Sequence, residues 1–335
     1  MRKLQNLKGV WSDYDTLLEA YERCKMGKSY RDYVLSYEMR LATHLMALQE
    51  KLETGTYTPR PMREFYIFEP KMRLIQAPYF EDRIVHHALL IAIQRHIERK
   101  FYRHSYACQK GKGVHAASLR LASWIKNPEM QYYLKLDVSK FFYSIQHEKL
   151  EAMIRKYIGC EETLRLLTLF YRSESGVGLP LGNVTSQLLA NLFLTPLDNF
   201  IKRELKAKRY IRYMDDFIVL GSDREALRAL KPQIEEFLGT IGLRLNPKYR
   251  LEKIGKGIDF CGYRHWPGKR LLRKKTLYKF CRSAKMQLEK SVASYLGAGK
   301  GTQSFRYMTE YIGSVCTEKI KGNTHKFIIN HGKKK

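Results

Sequence analysis

The segment from Arg209 to Gly221 limits what this chain can fold into more than any other. Two β-rich runs, Tyr210 to Tyr213 and Phe217 to Leu220, flank the acids Asp215 and Asp216, which is the pattern of a β-hairpin with a polar tip. Two adjacent carboxylates at such a tip repel each other unless a cation neutralises them. Because Asp is also an ordinary turn residue, the hairpin alone leaves both a solvated turn and a cation site open.

A third carboxylate favours the cation site. Gln131 to Val138 reads as an apolar strand that ends on Asp137, where an unpaired charge is costly to bury. The helical patterns between this strand and the hairpin can bring the two strands side by side in one sheet. We therefore expect Asp137, Asp215 and Asp216 to gather at one place. Such oxygen ligands suit two Mg²⁺ ions about 3.5–4 Å apart, with Mn²⁺ as the alternative ion, and zinc is not expected.

The charge of the chain predicts a polyanionic partner. The 335 residues carry a formal net charge of +28 and a pI near 9.8, more than solubility requires. Nucleic acid is favoured over a membrane surface, because no apolar run is long enough to span a bilayer. The 23 Tyr and 15 Phe can stack on bases as well as fill a core. Without a signal-peptide pattern or Cys-x-x-Cys spacing, reduced thiols and a cytoplasmic location are expected.

Two further motifs point to phosphate binding. Arg63 to Ala77 predicts a hairpin in which Lys71 and Arg73, two residues apart, face the same side of a strand. These cations could clamp a triphosphate or form a plain exposed face, and the residues alone leave both open. Ser105 to His115 is a loop with two glycines and two lysines that opens a helix, a weak signal for a phosphate chain.

The chain becomes strongly basic after Trp266. Apolar residues recur at helical spacing from Leu277 to Tyr295, whereas Lys275, Lys279 and Arg282 share the opposite side. A solvated face is the default interpretation of such charges. Their density here favours contact with a nucleic-acid backbone.

These residues resemble the palm of a reverse transcriptase. The resemblance rests on Tyr213-Met-Asp-Asp216, on Asp137-x-x-x-Phe-Phe142 and on Leu179-Pro-Leu-Gly182, and it covers most of the chain. It implies an RNA-directed DNA polymerase, a nucleotidyltransferase that uses dNTPs. One metal ion would lower the pKa of the attacking 3′-hydroxyl, and the other would stabilise the triphosphate and the leaving pyrophosphate.

The resemblance also assigns roles to individual residues. Lys71 and Arg73 correspond to the fingers hairpin over the triphosphate, and Phe142 to the steric gate against a ribose 2′-hydroxyl. Lys248 falls where the family often has a lysine proposed to protonate pyrophosphate. The remaining implied sites are Val138 as a metal and nucleotide contact, Leu181, Gly182, Gln187 and Tyr213 near the nucleotide, Cys261, Gly262 and Tyr263 as the primer grip, and Lys275, Lys279 and Arg282 in the thumb.

One motif departs from the usual family pattern. Leu181-Gly-Asn-Val-Thr-Ser-Gln187 replaces Gln-Gly-x-x-x-Ser-Pro and is similar to reverse transcriptases of diversity-generating retroelements. The resemblance implies error-prone, adenine-mutagenic copying of a template-repeat RNA, with a basic accessory variability protein as partner. Gln109, where relatives often carry arginine, has no assigned role. The alternatives are a reverse transcriptase of another bacterial kind (retron, phage-defence or reduced group II intron type) and a non-catalytic RNA-binding module.

The predicted fold is α+β, a right-hand polymerase with fingers, an antiparallel palm sheet that carries the Tyr-Met-Asp-Asp hairpin, and a small helical thumb. The predicted domains are residues 1–62 (N-terminal helical extension and fingers), 63–265 (fingers and palm) and 266–335 (basic helical thumb). The expected partners are template RNA and the RNA–cDNA hybrid, and not a membrane. The expected setting is the cytoplasm of a bacterial host, with a phage or chromosomal gene.

Overall fold

The described part of the chain covers residues 3–68 and 72–316, together with Ile320 and Gly322, in a computed structural model. The predicted triphosphate ligand Lys71 lies outside the described residues. No described helix is both long and apolar enough to cross a bilayer.

The described elements alternate helical and strand-rich segments. The helices are α1 (Lys8–Trp11), α2 (Tyr14–Lys25), α3 (Asp32–Glu38), α4 (Leu41–Thr54), α5 (Phe80–Glu98), α6 (Val114–Trp124), α7 (Phe141–Ser144), α8 (His147–Ile154), α9 (Glu161–Leu169), α10 (Val184–Phe193), α11 (Thr195–Asn199), α12 (Arg224–Thr240), α13 (Lys274–Lys285), α14 (Glu289–Gly299) and α15 (Ser304–Val315). The strands are β1 (Arg63–Ile67), β2 (Arg73–Ala77), β3 (Tyr132–Asp137), β4 (Arg209–Tyr213), β5 (Asp216–Gly221), β6 (Arg250–Lys253), β7 (Ile258–Phe260), β8 (Tyr263–Trp266) and β9 (Lys269–Leu272).

The chain divides into two compact units. Unit 1 comprises Met1–Arg103, Val138–Leu205 and Pro232–Pro247, and unit 2 comprises His104–Asp137, Lys206–Lys231 and Lys248–Lys335. In unit 1, α2 packs against α5. Helix α5 has buried residues on every side, as expected of a central core helix. The predicted hairpin is present as β1 and β2, which pair antiparallel from Arg63 opposite Ala77 to Ile67 opposite Arg73.

Unit 2 contains an antiparallel sheet in the order β4-β5-β3-β6, with β3 between β5 and β6. Helix α6 packs on β4. The core between them includes Leu121, Trp124, Tyr133, Ile211 and Ile218, all of them buried. Because side chains alternate between the two sides of a strand, burying these residues fixes the register of β3, β4 and β5.

A second antiparallel sheet of unit 2 has the order β7-β8-β9 and leads directly into the C-terminal helices. Strand β9 lies beyond Trp266, so this sheet crosses the predicted palm–thumb boundary. Its last residue, Leu272, joins a core with Phe280, Val292, Leu296 and Met308 from α13, α14 and α15. This apolar core holds the three C-terminal helices on the sheet.

Two helices predicted from apolar spacing are interrupted in the structure. The apolar spacing from Ser29 to Gly55 predicts one helix, but this segment forms two helices, α3 and α4, because Arg40 leaves helical geometry with ψ 41°. The helix expected from Leu277 to Tyr295 is also two, α13 and α14, separated at Gln287 with φ 54°. Gln287 Nε2 donates to the carbonyls of Ala284 and Val315, and these contacts hold a break that the apolar spacing does not reveal.

Candidate active site

The Tyr-Met-Asp-Asp segment forms a two-residue hairpin between β4 and β5. Tyr213 pairs with Asp216, and Met214 and Asp215 form the turn. Met214 has φ 56°, a left-handed conformation that is uncommon for a residue other than glycine. Its side chain is buried at 8% exposure, which anchors the turn in the core. The hairpin therefore holds Asp215 at its tip in one fixed orientation.

The structure brings the three predicted carboxylates together. Asp137, the last residue of β3, lies directly opposite Asp216, the first residue of β5. Asp215 is in side-chain hydrogen-bonding contact with Asp137. All three acids belong to unit 2, and the register of one sheet sets their positions. Asp137, Asp215 and Asp216 therefore form a carboxylate cluster at the edge where β3 ends and β5 begins.

The carboxylate cluster is electrostatically unfavourable by itself. Burial raises the pKa of Asp215 to about 6, and the negative charges of Asp137 and Asp216 act in the same direction. Burial also raises the pKa of Asp216 to about 6, although the nearby ammonium of Lys135 opposes this increase. Two buried acids that resist ionisation, next to a third carboxylate, are suited to binding a cation.

Lys135 is a functional candidate that the sequence argument missed. Its Nζ lies 2.9 Å from Asp216 Oδ2 and donates to the Asp259 carbonyl at 2.7 Å. The signal was present in Leu-Lys-Leu-Asp, since residues 135 and 137 of a strand point to the same side.

Arg212 was likewise missed, although it stands just before the acidic turn. Its side chain is fully buried, and its Nη1 donates to the Met214 carbonyl at 3.0 Å. The backbone carbonyl of Arg212 accepts a hydrogen bond from Tyr106 N at 3.0 Å, and its backbone N donates to the His104 carbonyl at 3.0 Å. Arg212 thus links the acidic turn to the chain that runs alongside β4. The available signal was a cation placed between Ile211 and Tyr213 in the middle of a β-rich run.

The predicted primer grip is a second hairpin in unit 2. Cys261 and Gly262 form its turn with φ 50° and 88°. The sequence from 258 to 263 predicts one short strand with a glycine kink, but the structure has β7, a tight turn and β8 there. Cys261 and Tyr213 pack on the same core cluster. The Tyr263 hydroxyl lies 2.8 Å from His115 Nδ1 and donates to the Ala298 carbonyl at 2.9 Å. Tyr263 therefore holds this hairpin to helices α6 and α14.

The predicted thumb cations lie on α13, as expected. Phe280 and Ala284 are buried on one side of this helix, whereas Lys275 and Arg282 are exposed and Lys279 is half-buried. Lys248 is exposed in the segment before β6. Its role in protonating pyrophosphate stays a prediction.

The remaining predicted nucleotide contacts belong to unit 1. Arg73 is exposed at the start of β2, and Gln187 is exposed on α10. Phe142 is half-buried on the short helix α7, and Val138 is buried and bridged to Leu245. Their contacts with metal, triphosphate and sugar stay predictions.

Leu181 and Gly182 are fixed against the fingers hairpin. Gln76 N, on β2, donates to the Leu181 carbonyl at 2.8 Å. Gly182 has φ 127°, and a Cβ at this position would lie 2.7 Å from the Gln76 carbonyl oxygen. Glycine is therefore required here for both its conformation and its size.

Gly182→Ala is expected to destabilise unit 1 by about 2 kcal/mol or more, because the added methyl group combines a strained φ with a backbone clash. Thermal unfolding followed by circular dichroism measures this effect. Gly239→Ala is the matched control, since Gly239 lies in helix α12 and, apart from the helix's own backbone nearby, no described atom lies within 4 Å of the added carbon. The control should match the wild type or unfold at a slightly higher temperature. Equal unfolding temperatures for Gly182→Ala and wild type would contradict the proposed constraint.

Unit 1 also contains a cavity of about 910 Å³ with a basic and aromatic lining. Arg60 and Arg63 lie 5.6 and 4.5 Å from the ring centroid of Tyr79, and Arg83 lies 5.2 Å from that of Tyr33. Its wall includes the cations Arg23, Lys28, Arg60, Arg63 and Arg83, and among the described residues of that wall Glu81 is the one acid. Guanidinium groups beside aromatic rings suit a phosphate chain with attached bases.

The carboxylate cluster has the donor chemistry of a divalent-cation site. Among the described residues, no group of three or more His, Cys, Asp and Glu side chains is already arranged as metal ligands. The donors nevertheless fit a hard cation, because they are carboxylate oxygens and Asp216 Oδ1 is buried without a hydrogen-bond partner. A divalent ion would supply the missing partner.

An antiparallel sheet with clustered acids at one edge and a tight hairpin at their centre defines the palm of a right-hand polymerase. A family model described as "Reverse transcriptase (RNA-dependent DNA polymerase)" matches residues 67–264, which is more than half of the chain. The chain therefore belongs to the reverse transcriptase family, whose activity is RNA-directed DNA synthesis.

Known proteins resemble this chain to different extents. It is 26% identical over 292 residues to Protein YkfC of Escherichia coli, covering 72% of this chain and 74% of YkfC. It is 26% identical over 217 residues to the group II intron-encoded protein LtrA of Lactococcus lactis, covering 61% of this chain and 33% of LtrA. A solved telomerase structure from Candida tropicalis has a TM-score of 0.51 at 11% identity, covering 83% of this chain and 56% of the telomerase chain. This last likeness concerns the fold alone, and it agrees with the predicted right-hand architecture.

Proposed function

We propose that this chain copies RNA into DNA by nucleotidyl transfer at the carboxylate cluster. The observation that carries the proposal is the register of β3 and β5, which sets Asp137 opposite Asp216 with Asp215 in contact. Asp137, Asp215 and Asp216 are the proposed ligands of two Mg²⁺ ions. When bound, the ions supply charge neutralisation at the reacting phosphate and activation of the attacking hydroxyl. The protein itself positions the acids, because the hairpin turn and the strand register fix them before any substrate binds.

The positive surfaces support RNA and the RNA–cDNA hybrid as partners. On α13 of unit 2, exposed Lys275 and Arg282 flank a turn of helix that also presents Tyr278, which is 71% exposed. We assign contact with the product hybrid to this surface. We assign single-stranded template to the cavity in unit 1, since its arginine and aromatic side chains suit sequence-tolerant binding of backbone and bases.

We further propose that the copying is mutagenic, as in a diversity-generating retroelement. The support is Leu181, at the position where the usual family motif has glutamine. The Leu181 carbonyl is bonded to β2, so its backbone is fixed and only its side chain differs from the usual motif. A leucine supplies packing, whereas a glutamine supplies a hydrogen bond that discriminates between correct and incorrect pairs.

Leu181→Gln is therefore expected to lower misincorporation opposite adenine by about tenfold, the discrimination that one polar contact of 1–2 kcal/mol provides. Sequencing of cDNA made from a defined RNA template measures the error at each template base. Leu169→Gln is the matched control, because Leu169 is a 44% exposed leucine of the same unit outside the motif. An unchanged adenine error in an active Leu181→Gln enzyme would contradict this explanation of infidelity.

The alternative is a reverse transcriptase of another bacterial kind, and the likeness to the intron-encoded protein LtrA favours its intron-related form. Purification of the native ribonucleoprotein from its host, followed by sequencing of the bound RNA and its cDNA, separates the two. A template repeat, adenine-directed errors and a co-purifying basic accessory protein support the retroelement. Recovery of intron RNA or of a self-primed RNA–DNA hybrid supports the alternative. A cytoplasmic bacterial location is part of the proposal.

A further inference from the structure

Lys135 occupies a special place beside the carboxylate cluster. It lies two residues before Asp137 on β3, so both side chains project from the same side of the sheet. Its Nζ is 2.9 Å from Asp216 Oδ2, and the two side chains are only 19% and 28% exposed. Solvent therefore screens this ion pair less than a surface pair.

The ammonium of Lys135 is held from the other side as well. It donates at 2.7 Å to the carbonyl of Asp259, on β7. The carboxylate of Asp259 accepts from Arg273 Nε at 2.8 Å, so the charge of Arg273 is balanced there. Lys135 consequently supplies the cation in direct contact with Asp216, and Arg273 acts from farther away.

The two oxygens of Asp216 have different surroundings. Oδ2 is bound to the ammonium of Lys135, whereas Oδ1 is buried and has no hydrogen-bond partner among the described residues. Lys135 thus neutralises Asp216 from one side and leaves the second oxygen available.

We propose that Lys135 is a built-in counter-cation that stabilises the carboxylate cluster before metal binds and weakens the affinity of the cluster for divalent ions. This inference rests on the proposed function of the cluster as a metal site. The lysine lets the protein fold with its acids in place, and it keeps the bound ions exchangeable between catalytic cycles. Lys135 is a positioning residue, since it acts on the metal through Asp216.

The sign of the effect follows from Coulomb's law. A divalent ion near Asp216 is repelled by an ammonium a few ångströms away, and both charges are partly shielded from water. Removing the ammonium removes that repulsion. The strand register of β3 and β5 still holds Asp216 in place, because it depends on backbone pairing and apolar burial. We therefore expect tighter metal binding, and not weaker binding, when the charge of Lys135 is removed.

The test compares Lys135→Met, which keeps the length of the side chain and removes its charge, with Lys135→Arg, which keeps the charge. Lys253→Met is the matched control, because Lys253 is an exposed lysine on β6 of the same sheet. Mn²⁺ binding is measured from the electron paramagnetic resonance signal of the free ion, without nucleic acid or nucleotide. Thermal unfolding is measured in EDTA and in Mn²⁺.

Lys135→Met is expected to bind Mn²⁺ about tenfold more tightly than the wild type, to unfold several degrees lower in EDTA and to gain more stability from Mn²⁺. Lys135→Arg and Lys253→Met should each stay within about twofold of the wild-type affinity, because neither removes a charge from the cluster. In an Asp216→Asn background the destabilisation by Lys135→Met should largely disappear, since the paired charge is gone.

Unchanged or weaker Mn²⁺ binding by a folded Lys135→Met protein would overturn the inference and leave the proposed function intact. Equal Mn²⁺ binding by the wild type and by Asp215→Asn/Asp216→Asn would instead show that the acids hold no metal. That second result would overturn the proposed function and the inference together.

Discussion

Primer extension by Asp215→Asn/Asp216→Asn is expected to fall at least about a thousandfold below wild type, comparable to the loss of a principal transition-state contact. Asparagine keeps the shape of both side chains, so the hairpin and its register should survive. The substitution removes the charge with which the cluster would hold Mg²⁺. The measurement is single-nucleotide extension on an RNA template at saturating dNTP. Glu225→Gln, an exposed acid on α12, is the control and should retain wild-type activity.

The same variant also separates chemistry from folding. In EDTA at pH 8 it should unfold at a higher temperature than wild type. The native pKa values of Asp215 and Asp216, about 6, lie above those of an unfolded chain, so ionising these acids lowers native stability as the pH rises from about 4 through 6. Asparagine does not ionise and removes this cost. Substantial extension by the stable variant would contradict the assignment of the cluster as the catalytic centre.

Arg212→Met is expected to lower the free energy of unfolding by about 3 kcal/mol. The substitution leaves the Met214 carbonyl without the hydrogen bond from Arg212, and it removes the polar contacts that the buried guanidinium makes. The turn that carries Asp215 should then lose its fixed geometry, since Met214 is in the left-handed region and needs support. Urea denaturation followed by tryptophan fluorescence measures stability. Primer extension at low temperature, where the variant is folded, should be reduced about tenfold or more, as expected for misplaced catalytic groups.

Arg209→Met provides the comparison for this effect. Arg209 is an exposed arginine on the same strand, and its guanidinium lies 5.5 Å from the Trp124 ring. Loss of that exposed contact should change stability by about 1 kcal/mol at most. Similar urea midpoints for the two variants would show that the bond from Arg212 to the turn is not a structural requirement.

The local pattern at the acidic hairpin was sufficient to predict its structure. The β-rich runs on both sides of Asp215 and Asp216 determine β4 and β5, and the apolar run before Asp137 determines β3. Each of these signals lies within a few residues of the chain. The sequence also predicts that Asp137 lies next to the hairpin, because β3 and β5 are expected to share one sheet.

The features that the sequence did not reveal depend on partners far along the chain. Lys135 is bonded to Asp216 and to Asp259, which are 81 and 124 residues away, respectively. The break at Gln287 is held by the Val315 carbonyl, 28 residues away. In the sequence, Lys269 and Arg270 make strand β9 look like part of the basic segment, because these two charges hide its apolar pattern. In the structure Arg270 is buried, and its Nη2 donates to the Gly301 carbonyl at 2.6 Å.

The continuity of the second sheet with α13 has a practical consequence for dissecting the enzyme. A chain shortened at Trp266, where composition suggests a natural cut, would lack β9. Strand β8 would then be an edge strand whose backbone groups are unpaired on one side, and such an edge can pair with a strand of another molecule. The shortened chain would also lose helix α14, so Tyr263 would lose its hydrogen bond to the Ala298 carbonyl. Fragment studies and fusions should therefore retain the chain at least through α15, so that the turn at Cys261 and Gly262 keeps its native support.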